Sequence, residues 1–232
     1  MSSSVPSKRI RKSPAARRAE IVACAASIAL SEGLECVTLR RIGEELDVRP
    51  GLVSHYFPSA EELVAEAFGN AATGELDALL PEEDGDGGDN GDAGGGRGED
   101  VGGGRAGDVA TAASARLSRF FARTNGPAWD DISRLWINAR HLSRYRPALR
   151  ARVVEQEAMW RGRLTALLAD GARRGEFRTA DPEVTAMQIL VVLDGLGADA
   201  GAGSEDLPPA VTRMAVTLAE RELGLPHGSL GP

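Results

Sequence analysis

Apolar side chains recur at helical spacing in two short segments between positions 38 and 57 of the 232-residue chain. In the first segment, Leu39, Ile42 and Leu46 fall on one face of a helix, and charged residues occupy the opposite face. Thr38 directly precedes them, and threonine is a good N-cap residue. The pattern therefore predicts a short amphipathic helix that begins after Thr38.

The second segment is predicted to form another short helix, because Pro50 suits the first helical position, where its missing N–H has no partner to lose. At about 100° per residue, Val53 and Phe57 lie close together on one side and belong to a core. The opposite side carries a hydroxyl, an imidazole and a phenol beside a residue without a side chain. These outward residues are Gly51, Leu52, Ser54, His55 and Tyr56.

The two predicted helices are joined by a turn from Asp47 to Arg49, which is the spacing of a helix-turn-helix motif. A major groove about 12 Å wide admits one helix, so the outward residues of the helix that starts at Pro50 suit contact with base edges. Thr38, Arg40 and Arg49 are expected to lie against phosphates. The alternative is a helical hairpin in an all-α core, with polar residues that simply face water.

The sequence from Ile21 to Phe68, with GLECVTLRRIGEELDVRPGLVSHYFPSAEELVAEAF at its centre, resembles the DNA-binding domain of TetR-type transcriptional regulators. The SHYF segment at Ser54–Phe57 is most similar to the BetI-like branch of that family. The resemblance implies a first helix, about Arg17 to Ser31, that packs over the helix-turn-helix. It also implies a fourth helix from Ser59 that leads to a ligand domain. Many members carry a phosphate-contacting lysine at its start, whereas this chain has Ala60.

Helical patterns return along the rest of the chain, with helix-start and helix-stop residues between them. Ser59 and Glu62 have the spacing of a capping box, Asp181 is the expected N-cap before Pro182, and Gly175 and Gly224 are expected to end helices. The predicted helices run from Val109 to Arg123, from Trp129 to Tyr145, from Pro147 to about Arg174, from Pro182 onward and from about Pro209 to Leu223.

The centre of one of these helices, from Met187 to Leu196, is apolar nearly all round and must be buried on two sides. The region from Trp129 to Leu225, with LTALLADGARRGEFRTADPEV and ILVVLDGL, is similar to the C-terminal domain of BetI-like regulators. That similarity implies a homodimer of paired C-terminal helices, which places two recognition helices about 34–36 Å apart on a near-palindromic operator. The predicted interface residues are Val184, Met187, Val191, Val192, Met214 and Leu218.

The resemblance also implies that a small-molecule effector binds among the middle helices. All three tryptophans of the chain lie in this region, and an aromatic cage around a quaternary amine requires such side chains. For each of them the alternative is plain core packing. The candidate ligand-binding residues are Trp129, Trp136, His141, Tyr145, Met159 and Trp160.

A net charge of −7 is unexpected for a protein that binds the polyanion DNA, but this charge is unevenly distributed along the chain. Residues 82–108 contain nine acids and two arginines, so this segment accounts for the whole net charge. Residues 1–18 carry six lysines and arginines and no acid. The basic arm therefore adjoins the helix-turn-helix, where it either reaches along DNA or remains a solvated tail.

The acidic segment also holds twelve of the 28 glycines and almost nothing apolar, so a flexible insert is predicted. Two roles remain open for it. The insert is either a surface loop of neutral effect or a polyanion that competes with DNA for the basic arm.

The predicted organisation is all-α, with an N-terminal three-helix DNA-binding domain and a C-terminal helical domain for ligand binding and dimerisation. Its parts are a disordered basic arm at 1–16, the helix-turn-helix domain at 17–62, a connecting helix at 63–81, the acidic insert at 82–108 and the effector domain at 109–225.

Other classes of protein are not favoured by the sequence. The three histidines lie in separate segments, Cys24 and Cys36 fit no metal spacing, and no nucleophile elbow or phosphate loop is present. We therefore expect no enzyme, cofactor or metal. The lack of a long apolar run predicts no membrane partner, and the polar, basic N-terminus favours the cytoplasm.

The function expected is a ligand-responsive transcriptional regulator, most simply a homodimeric repressor that a small molecule releases from its double-stranded DNA operator. The alternative is a metabolite-sensing or interaction protein that keeps this fold and binds no specific operator.

Overall fold

The computed structural model describes residues 12–82, 112–124, 127–200 and 207–231, and all the regular structure in these ranges is helical, which confirms the predicted all-α fold class. No helix in these ranges is long and apolar enough to cross a membrane. The helices are α1 (Pro14–Glu32), α2 (Leu39–Glu45), α3 (Pro50–Tyr56), α4 (Ala60–Leu79), α5 (Ala113–Arg123), α6 (Pro127–Ser143), α7 (Pro147–Arg173), α8 (Pro182–Ala200), α9 (Pro209–Thr212) and α10 (Met214–Glu222), with a 3-10 turn at Leu34–Cys36.

Most of the predicted helix boundaries follow from local capping chemistry. The Thr38 hydroxyl accepts a backbone N–H from the first turn of α2 at 3.1 Å. The Asp181 carboxylate accepts two N–H groups from the first turn of α8, at 3.0 and 3.1 Å. Both satisfy donors that a helix start leaves without partners. Gly175 and Gly224 have φ of 76° and 64°, the left-handed conformation that ends many helices.

The prediction of one continuous helix from Pro209 to Leu223 is wrong. Arg213, with φ of −87° and ψ of 4°, separates α9 from α10, because this ψ tightens the backbone into a turn. The Arg213 guanidinium donates a hydrogen bond to the carbonyl of Gly231 at 3.2 Å. The second helix also ends at Glu222, one residue before the predicted end.

Smaller corrections concern three helix ends. The Ser59 hydroxyl accepts the N–H of Glu61 at 3.1 Å, so the predicted pairing with Glu62 is replaced by a shorter cap. The prediction that α6 begins at Trp129 is two residues late, because a proline at the first helical position needs no N–H partner. Its predicted end at Tyr145 is two residues beyond the observed end.

The start of α5 is fixed from a distant part of the sequence. Residues 109–111 of the predicted helix lie outside the described residues, and α5 begins at Ala113. The Glu176 carboxylate accepts the N–H groups of Ala113 and Ser114 at 3.1 and 2.9 Å. Burial alone raises the pKa of Glu176, but these hydrogen bonds outweigh it and hold the pKa below its ordinary value.

The chain divides into two compact units. The first consists of Met1–Glu75, Gly126–Met159 and Gly197–Glu205, and the second of Leu76–Asn125, Trp160–Leu196 and Asp206–Pro232. Helices α1, α2, α3 and α6 belong to the first unit, α5, α9 and α10 belong to the second, and α4, α7 and α8 have residues in both. These compact units divide the chain at positions other than the domain boundaries predicted from the sequence. The predicted boundaries are therefore not tested and remain predictions.

The core of the first unit is built where α1 packs on α2, α6 and the 3-10 turn, while α2 packs on α3. Each of these elements contributes side chains that solvent does not reach. The fully buried residues of this core include Ile21, Leu34, Ile42, Val53, Phe57, Leu63, Phe68 and Leu149.

The second unit closes around two features that sequence periodicity does not reveal. A Cβ at Gly171 would overlap the Phe177 ring, so the glycine makes room for this aromatic side chain. The carboxylate of Glu220, whose residue is only 2% exposed, accepts the N–H groups of Gly228 and Leu230, both at 3.0 Å. The C-terminal segment is thereby fixed to α10.

Candidate DNA-binding surface

The supporting helix α2 and the recognition helix α3 approach each other closely because of a glycine. A Cβ at Gly43 would lie 3.1 Å from the carbonyl oxygen of Val48 and 3.5 Å from Pro50. The turn between the helices contains Asp47 with φ of 50°, the left-handed conformation that aspartate tolerates better than most residues. Gly43 and Asp47 therefore set the geometry of the helix-turn-helix.

The recognition helix presents the outward face that its sequence predicts. Val53 and Phe57 are both 0% exposed, which confirms their assignment to the core. Among the outward residues, Gly51, Ser54 and His55 are exposed, while Leu52 and Tyr56 are half-buried. Nothing lies within 4 Å of a Cβ built at Gly51, so the surface there is open.

Contacts within the protein hold the polar groups of this face in position in the absence of DNA. The Ser54 hydroxyl donates to the carbonyl of Pro50 at 3.1 Å, which leaves its lone pairs as acceptors for a base or water. The rings of His55 and Tyr56 meet edge to face with centroids 5.3 Å apart. Together these side chains offer donors and acceptors of the kind that major-groove base edges require.

The three residues expected at phosphates differ in the contacts that their side chains already make within the protein. Thr38 uses its hydroxyl to cap α2. Arg40 forms an ion pair with Glu44 at 2.8 Å, and the hydrogen bond from this guanidinium to the carboxylate raises the pKa of Arg40. Arg49 is exposed, and its side chain makes no hydrogen bond or ion pair within the described part of the chain. Arg49 is therefore the most available of the three for a phosphate.

The basic arm lies almost wholly outside the described residues, which begin at Lys12. Lys12 and Arg17 form ion pairs with Glu20 at 2.7 and 2.6 Å, and these cations hold the pKa of Glu20 below its ordinary value. The predicted contact between the arm and DNA stays a prediction, as do both roles considered for the acidic insert, since residues 83–111 are not described.

A polar link that the sequence patterns did not reveal joins α6 to the turn that precedes α2. The Asn138 side chain accepts the N–H of Leu34 at 2.9 Å and donates to the Glu35 carboxylate at 2.8 Å. Asn138 thus binds two consecutive residues that lie 104 and 103 positions away in sequence. No local pattern around an asparagine on an amphipathic helix predicts such partners.

A second link joins α1, α4 and α7 through one carboxylate. Glu66 on α4 forms ion pairs with Arg18 of α1 at 3.3 Å and with Arg152 of α7 at 3.1 Å. The Arg18 guanidinium also lies 4.7 Å from the ring centroid of Phe57, at the end of the recognition helix. A Cβ at Gly69 would lie 2.7 Å from the Arg152 stem, so the glycine admits this side chain.

The structure brings together some of the candidate ligand-binding residues. Trp136 is 9% exposed, packs edge to face on Phe68 with centroids 5.0 Å apart, and lies 5.0 Å from the Arg140 guanidinium. His141 and Tyr145 lie next to each other at a centroid distance of 6.4 Å, with Tyr145 78% exposed.

Trp129, Met159 and Trp160 complete the candidate set. Trp129 and Met159 are half-buried, and Trp160 is 5% exposed and belongs to the second unit. A residue that the prediction missed, Gln156, is 2% exposed, donates to the Met159 sulfur at 3.6 Å and bonds to the Thr73 hydroxyl. Its place at helical spacing within the apolar face of α7 was the signal for a buried, hydrogen-bonded polar group.

The predicted dimer residues include four large apolar side chains that remain exposed. Val184 is 45% exposed, Met187 42% and Val191 69% on α8, and Met214 is 46% exposed on α10. The α8 residues recur at intervals of three and four and so share one helix face. Val192 and Leu218, also predicted at the interface, are half-buried.

Residues 21–67 match the family model for bacterial regulatory proteins of the tetR family, and residues 102–223 match the model for the C-terminal domain of BetI-type transcriptional repressors. The chain therefore belongs to the TetR family of transcriptional regulators, in its BetI-type branch, as its sequence predicted. Members of this family are regulators that bind DNA operators, dimerise and are generally not enzymes, and repression is their typical role.

Solved structures show the same fold. A putative TetR-family transcriptional regulator from Rhodococcus sp. is 18% identical with a TM-score of 0.66, over 90% of this chain and 99% of that one. A putative regulator from Saccharomonospora viridis, solved in complex with choline, is 19% identical with a TM-score of 0.64, over 89% and 95% of the chains. A TetR transcription regulator from Haloarcula marismortui is 18% identical with a TM-score of 0.63, over 90% and 97%. No protein of curated function matches the sequence.

Proposed function

We propose that this regulator is a homodimeric repressor that binds a near-palindromic operator and leaves it when a small molecule binds. The observation that carries the proposal is the outward face of α3, where Ser54, His55 and Tyr56 surround the open surface at Gly51. The fully buried Val53 and Phe57 support this helix from behind. We further propose that the protein works in the cytoplasm, where operator DNA is accessible.

A ligand response requires a physical connection between the helices of the effector region and the DNA-binding helices. An effector changes operator affinity only if it favours one of two arrangements of the protein. The bonds from Asn138 to Leu34 and Glu35 supply such a connection, because a shift of α6 displaces the turn that leads into α2. The ion pairs of Glu66 provide a second route.

We propose a quaternary amine as the first class of effector to test. The choline found in the Saccharomonospora viridis regulator motivates this choice. In this chain the Trp136 ring already holds the Arg140 guanidinium at 5.0 Å, so a cationic effector at this ring would take the place of that arginine. The hydrogen-bonded amide of Gln156 adds a polar group among apolar residues on α7.

Dimerisation is supported by the exposed apolar face of α8. Contiguous exposed apolar residues on a protein surface mark interaction sites more often than chance. A symmetric dimer buries the same residues of both copies, so the face of Val184, Met187 and Val191 needs to complement only itself.

The experiment that tests this proposal is a gel shift of the full chain with the DNA that flanks its own gene, combined with light scattering for the mass of the free protein. We expect a dimer that retards this DNA more strongly than a scrambled sequence of the same length. Binding that does not distinguish the two DNAs would contradict the proposal and favour the metabolite-sensing alternative.

The same assay tests the effector class. Choline is expected to release the operator, while 3,3-dimethylbutanol, its uncharged analogue of the same shape, is expected to have no effect. If both compounds release the operator, the attraction between a cation and an aromatic ring is not the basis of recognition.

A further inference from the structure

The loop between α6 and α7 carries two arginines, Arg144 and Arg146. Neither the Arg144 nor the Arg146 guanidinium forms a hydrogen bond or ion pair within the described part of the chain. Tyr145 lies between them and is 78% exposed. Arg144 is exposed and Arg146 is half-buried, so the surface of the loop carries two permanent positive charges and a phenol.

The loop lies beside the segment that directly follows the recognition helix. Glu61, the second residue of α4, accepts the N–H of Ala148 at 3.4 Å. Ala148 is two residues beyond Arg146, and two residues span at most about 7 Å of chain. Because α4 begins only four residues after the last residue of α3, the loop arginines lie close to the DNA-binding helices.

The backbone of this loop is fixed, so its side chains start from a defined position. Arg150 on α7 donates to the carbonyls of Ser143 and Arg144 at 3.2 and 3.0 Å. These carbonyls belong to the end of α6, where backbone acceptors lack helical partners. A fixed backbone lowers the entropy that the arginines lose when they bind.

The geometry points to a second DNA contact: we propose that Arg144 and Arg146, with the phenol of Tyr145, bind backbone phosphates next to the groove that α3 enters. This inference rests on the proposed operator binding and extends it. Guanidinium groups match phosphate geometry and are weakly hydrated, which suits them to this role. The first turn of α4 carries Glu61 and Glu62 and no cation, so its own side chains do not attract phosphate.

The nearby acids do not cancel the charge of the loop. Glu61 is engaged with the N–H of Ala148, at the positive end of the long helix α7. Glu66 and Glu155 are both paired with Arg152, which leaves the exposed Glu62 against the cations Arg144, Arg146 and Arg150. The local field is therefore positive and attracts phosphate.

Binding to phosphates carries no sequence information, and this distinguishes the loop arginines from the side chains of α3. Its signature is the dependence of affinity on salt, because each neutralised phosphate releases a bound cation from DNA. The slope of log affinity against log salt changes by about 0.9 for each phosphate that the protein no longer neutralises. A dimer without both arginines in each copy is expected to have a slope shallower by about 3.6.

The test is a salt titration of operator binding by the full-length R144Q/R146Q variant. We expect a shallower slope and an equal loss of affinity for operator and scrambled DNA. R144K/R146K is expected to keep the wild-type slope, because lysine preserves the charge. R173Q is the matched control, since Arg173 is an exposed arginine at the other end of α7.

The outcomes separate this inference from the proposed function. A wild-type protein that binds no operator overturns both. Operator binding by the wild type with an unchanged slope in R144Q/R146Q overturns the loop contact alone, as does a loss that R173Q reproduces. Thermal melting of each variant shows whether a loss of affinity reflects unfolding.

Discussion

Two exposed faces of this regulator, one on α3 and one on α8, have opposite chemistry. The α3 face consists of a bare backbone at Gly51 and the polar groups of Ser54, His55 and Tyr56. The α8 face consists of large apolar side chains, of which Val191 is the most exposed at 69%. A polar, hydrogen-bonding face suits hydrated base edges, while an apolar face is stabilised by removal from water. Exposure alone thus does not define a site, and the exposed chemistry identifies the partner.

The largest effect is expected from a charge placed on the apolar face. In a V191E variant, dimerisation would bury a carboxylate without a partner, which costs about 3–5 kcal/mol. The dimer should dissociate at concentrations where the wild type remains dimeric, as measured by light scattering. Operator affinity should fall with it, because a monomer places only one recognition helix on the DNA.

V154E is the matched control for this change. Val154 is 61% exposed on α7, so the same substitution adds the same charge on a different helix. Loss of the dimer in V154E, or its retention in V191E, would show that the α8 face is not the interface.

The next largest effect concerns the support of the α3 face. A G43V variant forces methyl groups against the Val48 carbonyl, which a Cβ alone would approach to 3.1 Å. Such overpacking costs about 2–3 kcal/mol of unfolding free energy, to be measured by urea denaturation. Operator binding should be lost as the recognition helix moves.

A G51V variant distinguishes direct contact with DNA from structural support of the recognition helix. The surface at Gly51 is open, so this variant should unfold at the same urea concentration as the wild type but bind the operator weakly. Wild-type operator affinity in G51V would mean that the backbone at this position does not approach DNA.

A smaller effect is expected at α10, the helix that carries the exposed Met214. An E220Q variant turns one acceptor of the buried carboxylate into a donor that faces a backbone N–H, at a cost of about 1–2 kcal/mol. The carboxylate keeps a pKa below its ordinary value, since hydrogen bonds from Leu230 and Gly228 outweigh the effect of burial.

The difference in unfolding free energy between wild type and E220Q is expected to depend on pH, and this dependence gives a second test. Because the folded-state pKa of Glu220 is lowered, its contribution is fully present above the unfolded pKa of about 4.3 and is lost as the pH falls through the folded-state value. Chemical denaturation of wild type and E220Q should converge below about pH 4. A gap of constant size across this range would assign the effect to packing.

The features that could be predicted from the sequence are those encoded within one or two helical turns. Thr38, Pro50 and Asp181 mark helix starts by their own chemistry, and the spacing of Val53 and Phe57 identifies the buried side of α3. The same periodicity identified the apolar character of α8.

Other features depend on residues that meet only in the folded chain. Asn138 binds residues more than 100 positions away, and Glu176 caps α5 across more than 60. The turn at Arg213 follows from local backbone angles that hydrophobic spacing does not report. These polar contacts are long-range in sequence, so no single-segment pattern contains them.

The central claim is that the outward face of α3 reads an operator, and the most direct measurement compares Y56A and H55A with the wild type in operator binding at fixed salt. We predict a loss of about 1–3 kcal/mol of operator affinity for each variant, with unchanged thermal stability. The control is H227A, a change at an exposed histidine of the C-terminal segment, which is expected to bind normally. Wild-type operator affinity in Y56A would contradict the placement of the recognition helix.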